Sequence, residues 1–162
     1  MGPREAKKYK PAAMNIIRNA LVKDIKLLAV LFDEYRVFYQ HQTDIAAAEK
    51  FLYERVSRSE SVIFVAENEN KILTGFVQLY PVFSSTRMTR LWLLNDLYVN
   101  PGYRGQNISI QLINSAKQLA KETEACGLML ETAKTNDIGN QLYPKTGFVL
   151  DEEHNFYYWN VD

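Results

Sequence analysis

The chain has 162 residues, 47% of them hydrophobic and 23% charged, which suits one globular domain with a buried core. Lysine plus arginine number 19 and aspartate plus glutamate number 19, so the formal net charge is +0, which argues against a function that neutralises many nucleic-acid phosphates. The one cysteine, Cys126, excludes an intrachain disulfide, and no apolar run makes a signal core or a membrane span, so a cytoplasmic setting with no membrane partner is expected.

In chain order, residues 1–13 read as a polar leader, with Lys7, Lys8 and Lys10 in a solvated tail, ahead of a single domain over 14–162. Residues 14–18 are a short strand. Leu21, Ile25, Leu28, Phe32, Tyr35 and Tyr39 recur at the spacing of one helix face. A second helix over 43–57 has Thr43 or Asp44 as its cap and Ile45, Ala48, Leu52 and Val56 as its stripe. Residues 61–66 are β-branched and aromatic, hence a strand, and Asn68 to Lys71 is a hairpin turn into a strand over 71–80. A loop over 81–86 leads to a long strand over 90–99, which Asn100, Pro101 and Gly102 end. Residues 108–124 are a helix, with a left-handed cap expected at Gly127. A strand over 128–133, a short helix over 137–143 and strands over 148–150 and 154–161 complete the chain. Tight turns make the middle strands antiparallel, and the β-α-β unit after Val99 requires a parallel pair. The expected fold is therefore mixed α/β: a mostly antiparallel sheet of about seven strands with helices on both faces.

The most informative stretch runs from Asp96 to Ser109, where a strand ends in a loop that opens directly onto a helix. The first turn of a helix has unpaired N–H groups and partial positive charge, a ready site for a diphosphate. Arg104 adds charge, Gly105 lets backbone approach a ligand, and Gln106, Asn107, Ile108 and Ser109 form the mouth.

This segment resembles the acetyl-coenzyme A-binding motif of the GCN5-related N-acetyltransferases, Arg/Gln-x-x-Gly-x-Gly/Ala. Arg104 matches its first position, while Asn107 and Ser109 stand at the two glycine positions. A left-handed backbone costs a residue with a Cβ roughly 1–2 kcal/mol, and asparagine tolerates it better than most. A second segment, residues 136–148, is similar to the family's Asn-x-x-Ala-x-x-Leu-Tyr-x-x-x-Gly-Phe signature. The resemblance gives Asn136 the pantetheine arm and Tyr143 a place near the thioester sulfur; Gly139 replaces the usual alanine, and Pro144 removes a helix hydrogen bond. The resemblance implies the mixed α/β fold, acetyl-CoA as cosubstrate, and a primary amine (small amine, polyamine or lysine-like) as acceptor. The segments 32–39 and 75–80 look like a bacterial branch similar to the polyamine and histone-type amine acetyltransferases.

An alkylammonium with a pKa of about 10.4 is almost wholly protonated at neutral pH, so a base or a water chain must take its proton. Asp96 and Glu131 are the candidates, because Asn95, one place earlier, cannot act as a base. Backbone N–H groups near Leu97, Tyr98 and Val99 are candidates for the developing oxyanion, and Tyr143 for protonating the leaving thiolate. Tyr35, Arg36, Tyr39, Tyr80 and Asn95 are candidate acceptor contacts; Tyr35 and Tyr39 also lie on the apolar stripe, where core packing is the plainer role, and Arg36 lies off it, where solvation is. His41 and His154 are isolated, so no metal site is expected, and Cys126 reads as a structural thiol. The aromatic run Phe156, Tyr157, Tyr158 and Trp159 fits either core burial or a homodimer contact. The alternative to turnover is an acyl-CoA-binding sensor, favoured by Asn95, Asn107, Ser109 and Pro144.

Overall fold

The computed structural model describes residues 14–161; the leader expected over 1–13 lies outside the described residues. They form two compact units, one ending at Leu130 and one beginning at Glu131.

The first unit is built on a five-stranded sheet in chain order: β1 (Ile16–Asn19), β2 (Val62–Glu67), β3 (Leu73–Ser84), β4 (Thr89–Val99) and β5 (Leu128–Met129). Every pair is antiparallel except β4 with β5, which the intervening helix makes parallel. A single-turn 3₁₀ helix, Val22–Asp24, leads into α1 (Ile25–Phe38), followed by α2 (Ile45–Ser57). Asp44 caps α2 by accepting from the Ala47 N–H at 2.9 Å, as its position predicts. The helix α3 (Ile108–Glu122) joins β4 to β5.

Alternation along the strands sorts the core into two layers. Ile63, Val65, Phe76 and Tyr98 pack with Ile25, Leu28, Leu31 and Phe32 of α1 and with Ala48 and Leu52 of α2. On the other face Gly75 approaches Ile108, and Trp92 reaches Thr123 at the end of α3 through an Nε1–H···O bond of 2.8 Å. The fastening of β1 is ionic. Arg18 forks onto Asp24 at 2.7 and 3.0 Å and also bonds Glu67, which accepts from Lys71 at 3.1 Å.

The second unit contains α4 (Asp137–Lys145). Pro144 sits in its last turn, where the lost hydrogen bond costs little of the helix.

Several expectations are corrected. The sheet has five strands rather than about seven. The strand expected over 128–133 is only two residues long, and residues 148–150 and 154–161 are not strands. Their β-branched and aromatic composition fits a pleated, half-buried surface, but here Val149, Leu150, Tyr157 and Trp159 are exposed and no strand among the described residues flanks them. The loop expected over 81–86 is largely β3, which runs through Pro81 to Ser84 opposite Thr89. The left-handed residue at the end of α3 is Glu124, with φ 50°, rather than Gly127.

Candidate active site

Strand β4 organises the site, and its central feature is a β-bulge. Leu94 pairs with Leu79 and Asp96 with Gln78, which leaves Asn95 as the extra residue. An extra residue inverts the alternation. Trp92 and Leu94 therefore face α3, whereas Asp96 and Tyr98 face α1.

Asp96 is buried, 5% exposed, and held by three side chains. Gln78 Nε2 donates to its Oδ2 at 2.8 Å, Asn95 Nδ2 donates to its Oδ1 at 3.0 Å, and the Tyr35 hydroxyl also bonds it. Burial pushes the Asp96 carboxyl above the ordinary value of 3.8, against the pull of these donors. Tyr39 and Tyr80 lie within the field of its charge. Burial, then the negative Asp96, pushes the Tyr80 phenol up to about 12, and the same two causes raise Tyr39. Both hydroxyls stay protonated at neutral pH. The result is a buried carboxylate ringed by tyrosines, an arrangement that can accept a proton from a cationic amine.

Tyr35, expected either in the core or at the acceptor, packs its ring on Phe32, Phe76 and Tyr98 while it bonds Asp96. Arg36 is not a solvated side chain. Its Nη1 donates to buried Asp33 at 2.8 Å, and Asp33 also accepts from the Asp44 N–H at 2.9 Å, tying α1 to the start of α2. Asn95, expected only at the acceptor, is the bulge residue and a donor to the carboxylate.

The far end of β4 forms the second part of the site. Beyond Leu93, paired with Met129, β4 keeps β3 on one side but has no ladder partner on the other among the described residues. Leu97, Tyr98 and Val99 lie on that open edge. Tyr98 donates to Glu34 at 3.3 Å, and Asn100 Nδ2 donates to the same carboxylate at 2.9 Å. Asn107 opens α3 with φ 60° and ψ 18°, the left-handed geometry expected at a glycine position, and its side chain caps nothing. The first-turn N–H groups of α3, including those of Ile108 and Ser109, are therefore unspent. Gly105 adopts φ 78° with open space where a Cβ would stand. Arg104 Nε donates to the Val99 carbonyl at 3.1 Å, which leaves the rest of an exposed guanidinium available. Gln106 Oε1 is buried without a hydrogen-bond partner among the described residues. Unspent amides and a cation fit a bound diphosphate.

In the second unit, Asn136 accepts from the Gly139 N–H at 3.2 Å and donates to Thr132 Oγ1 at 2.9 Å, so it caps α4. A Cβ at residue 139 would lie 2.7 Å from Asn136 Nδ2, which accounts for glycine there. Tyr143 packs edge-on against Phe148, and exposed Glu131 accepts from Tyr158. His154 is paired with Asp151, and the described residues contain no cluster of metal-ligating side chains.

Fold and site together define an acyl-transferring enzyme. The model of the acetyltransferase (GNAT) family matches residues 26–148, and the chain belongs to that family. It is 41% identical over 145 residues to the uncharacterized N-acetyltransferase YhfO of Bacillus subtilis, covering 90% of this chain and 97% of that one. A crystal structure of a probable acetyltransferase superposes with a TM-score of 0.87 at 38% identity, covering 91% of this chain and 98% of that one. A predicted acetyltransferase of Clostridium acetobutylicum solved with acetyl-CoA shares the fold, with a TM-score of 0.73 at 22% identity over 90% of this chain and 96% of that one. The protein is an N-acetyltransferase, and acetyl-CoA is its cosubstrate. No helix among the described residues is long and apolar enough to cross a membrane.

Proposed function

We propose that the enzyme acetylates a primary amine, with Asp96 as the general base. The observation that carries this is the buried Asp96 carboxylate beside Tyr35, Tyr39 and Tyr80, facing α1 rather than the α3 side of the sheet. Acetyl-CoA supplies a thioester whose carbonyl carbon takes the amine lone pair as the C–S bond breaks, leaving an amide and a thiol. Asp96 takes one proton from the ammonium and returns it to solvent; the raised carboxyl is a better base than an exposed aspartate. Tyr143 gives a proton to the departing sulfur and is restored, through water, by the second proton leaving nitrogen. The first turn of α3 with Arg104 to Ser109 holds the diphosphate, and an N–H among Leu97, Tyr98 and Val99 faces the carbonyl oxygen; the family resemblance gives Asn136 the pantetheine arm. Glu131 is the alternate base, and Tyr80 and Asn95 contact the acceptor.

We place the enzyme in the cytoplasm, with residues 14–162 acting as one acetyltransferase domain. The exposed aromatics Phe156, Tyr157, Tyr158 and Trp159 support a contact between two copies of the chain. Structures of the same fold include one with sisomicin and one named for ribosomal-protein alanine, so the acceptor panel consists of sisomicin, spermidine and a peptide with an N-terminal alanine.

The test is acetyl-CoA-dependent thiol release over that panel as a function of pH. Release should rise with pH through an acidic limb and fall by about a hundredfold or more in Asp96→Asn, while acetyl-CoA still raises the melting temperature. Full activity with an unshifted limb in that variant would remove Asp96 as the base and leave Glu131.

A further inference from the structure

The site reaches one shell deeper into the sheet than the acceptor does. Gln78 is fully buried in the middle of β3, where an amide costs about 1–3 kcal/mol unless both of its ends are bonded. An apolar residue would suit that position better on packing grounds alone. Both ends of the amide are used: Nε2 faces Asp96 Oδ2 at 2.8 Å, and Oε1 accepts from the hydroxyl of Ser61 at 3.0 Å. Ser61 is itself buried, just ahead of β2. The three residues form a hydrogen-bonded line across β2, β3 and β4.

We propose that Ser61 and Gln78 are positioning residues that fix the orientation and basicity of Asp96; this rests on the reading of Asp96 as the base. An amide can sit either way round. Turned about, Gln78 would set its carbonyl oxygen against a carboxylate oxygen at 2.8 Å, a repulsive contact. The Ser61 hydroxyl satisfies Oε1 by donating to it, and the negative carboxylate holds the N–H end toward Asp96. That donor favours the ionised carboxylate, which burial alone would disfavour.

The other groups around Asp96 do not duplicate this function. Tyr35 and Tyr39 come from α1 and its end, and Tyr80 from β3. Arg55 and Glu60, from the end of α2 and just beyond, act on Tyr80 with opposite signs. Asn95 donates to the other oxygen but sits exposed in the bulge. Gln78 is the fully buried donor with a second side chain locking it.

The experiment titrates the Asp96 carboxyl directly, by carbon-13 NMR of aspartate-labelled protein, with the resonance assigned by its loss in Asp96→Asn. Gln78→Leu should move that titration to higher pH, displacing the ionisation equilibrium by about tenfold, which is roughly 1.4 kcal/mol. Ser61→Ala should move it the same way by less, Ser61→Thr should restore it, and the Ser61→Ala, Gln78→Leu double variant should match Gln78→Leu. The acidic limb of thiol release should move with the resonance. An Asp96 titration that stays in place in folded Gln78→Leu, or in Ser61→Ala should the former not fold, overturns the proposal. The base reading fails separately, through full activity in Asp96→Asn.

Discussion

Replacing Asn107 separates the two demands made on the start of α3. The residue sits at φ 60° and ψ 18°, and its side chain bonds nothing in the helix. A residue with a Cβ pays roughly 1–2 kcal/mol for that geometry, asparagine less. Asn107→Gly removes this cost but adds about 0.5–1 kcal/mol of backbone entropy, so its stability should stay near that of the parent. Asn107→Ala pays in full and Asn107→Val pays more, because its branched Cβ crowds the turn. Net of the glycine entropy the gap is about 0–1.5 kcal/mol, and at roughly 2–4 °C per kcal/mol for a chain of this size alanine should melt up to about 6 °C below glycine. The same turn carries the unspent amides. If the strain is relieved by displacing them, acetyl-CoA affinity falls by up to tenfold per roughly 1.4 kcal/mol, or about five- to thirtyfold for alanine. Thermal melts and titration calorimetry with acetyl-CoA read the two effects independently. A valine variant that melts and binds like the parent would refute the need for left-handed geometry. One that melts early but binds normally would show that this turn does not grip the donor.

Three further outcomes follow from the sheet. Arg18→Met takes the guanidinium away from Asp24 and Glu67, whose side chains are 7% and 11% exposed, and should cost about 3 kcal/mol in denaturant unfolding. Hydrogen bonds from Arg18 hold both carboxyls below their ordinary 3.8 and 4.5, so this stabilisation is present above those values and is lost as pH falls through the folded-state values. The gap between variant and parent should therefore close on acidification; a gap constant with pH would contradict the ionic origin. Gly75→Ala places a Cβ 2.8 Å from the Tyr98 carbonyl oxygen and 3.2 Å from a Val99 methyl, and should destabilise by about 1–3 kcal/mol, with an unmoved denaturation midpoint counting against that contact. Deleting Asn95 keeps Leu94 opposite Leu79 and Asp96 opposite Gln78 but makes the ladder regular, so the melting temperature should hold while thiol release falls by about a hundredfold. Undiminished release would mean that the bulge has no part in the chemistry.

Most of the first unit was legible because its signals are periodic and local. The stripe from Leu21 to Tyr39, the Asp44 cap and the strand–loop–helix from Asp96 to Ser109 each depend on residues close in sequence. The left-handed Asn107 was legible because the family pattern marks a glycine there. The bulge was not, because nothing in the run Leu94, Asn95, Asp96 says which partner residue each will face; that is decided by the register of β3. Gln78 was missed for the same reason. Inside an apolar strand a lone glutamine gives no sign that a carboxylate lies opposite, and Ser61 is seventeen residues away from it. The C-terminal aromatics misled in the opposite way: high β-propensity was present without the neighbouring strand that would use it.

The bulge explains how one strand can serve two ligands with different demands. A regular β4 that kept Trp92 and Leu94 on the α3 side would also keep Asp96 there, in an apolar layer with Leu79, Ile108 and Leu112, where an ionised carboxylate has no partner. The extra residue turns Asp96 over to the α1 side, where Gln78 and Tyr35 donate to it, and supplies a third donor from Asn95. The ladder to β5 has already stopped at Leu93, just before the bulge. On the proposed reading the strand gives its backbone edge to the donor and its side-chain face to the acceptor from adjoining residues. On this argument Asp96 owes its basicity to the strand opposite as much as to its own burial, so changes at Gln78 should alter the pH dependence of acetyl transfer before they alter the affinity for acetyl-CoA.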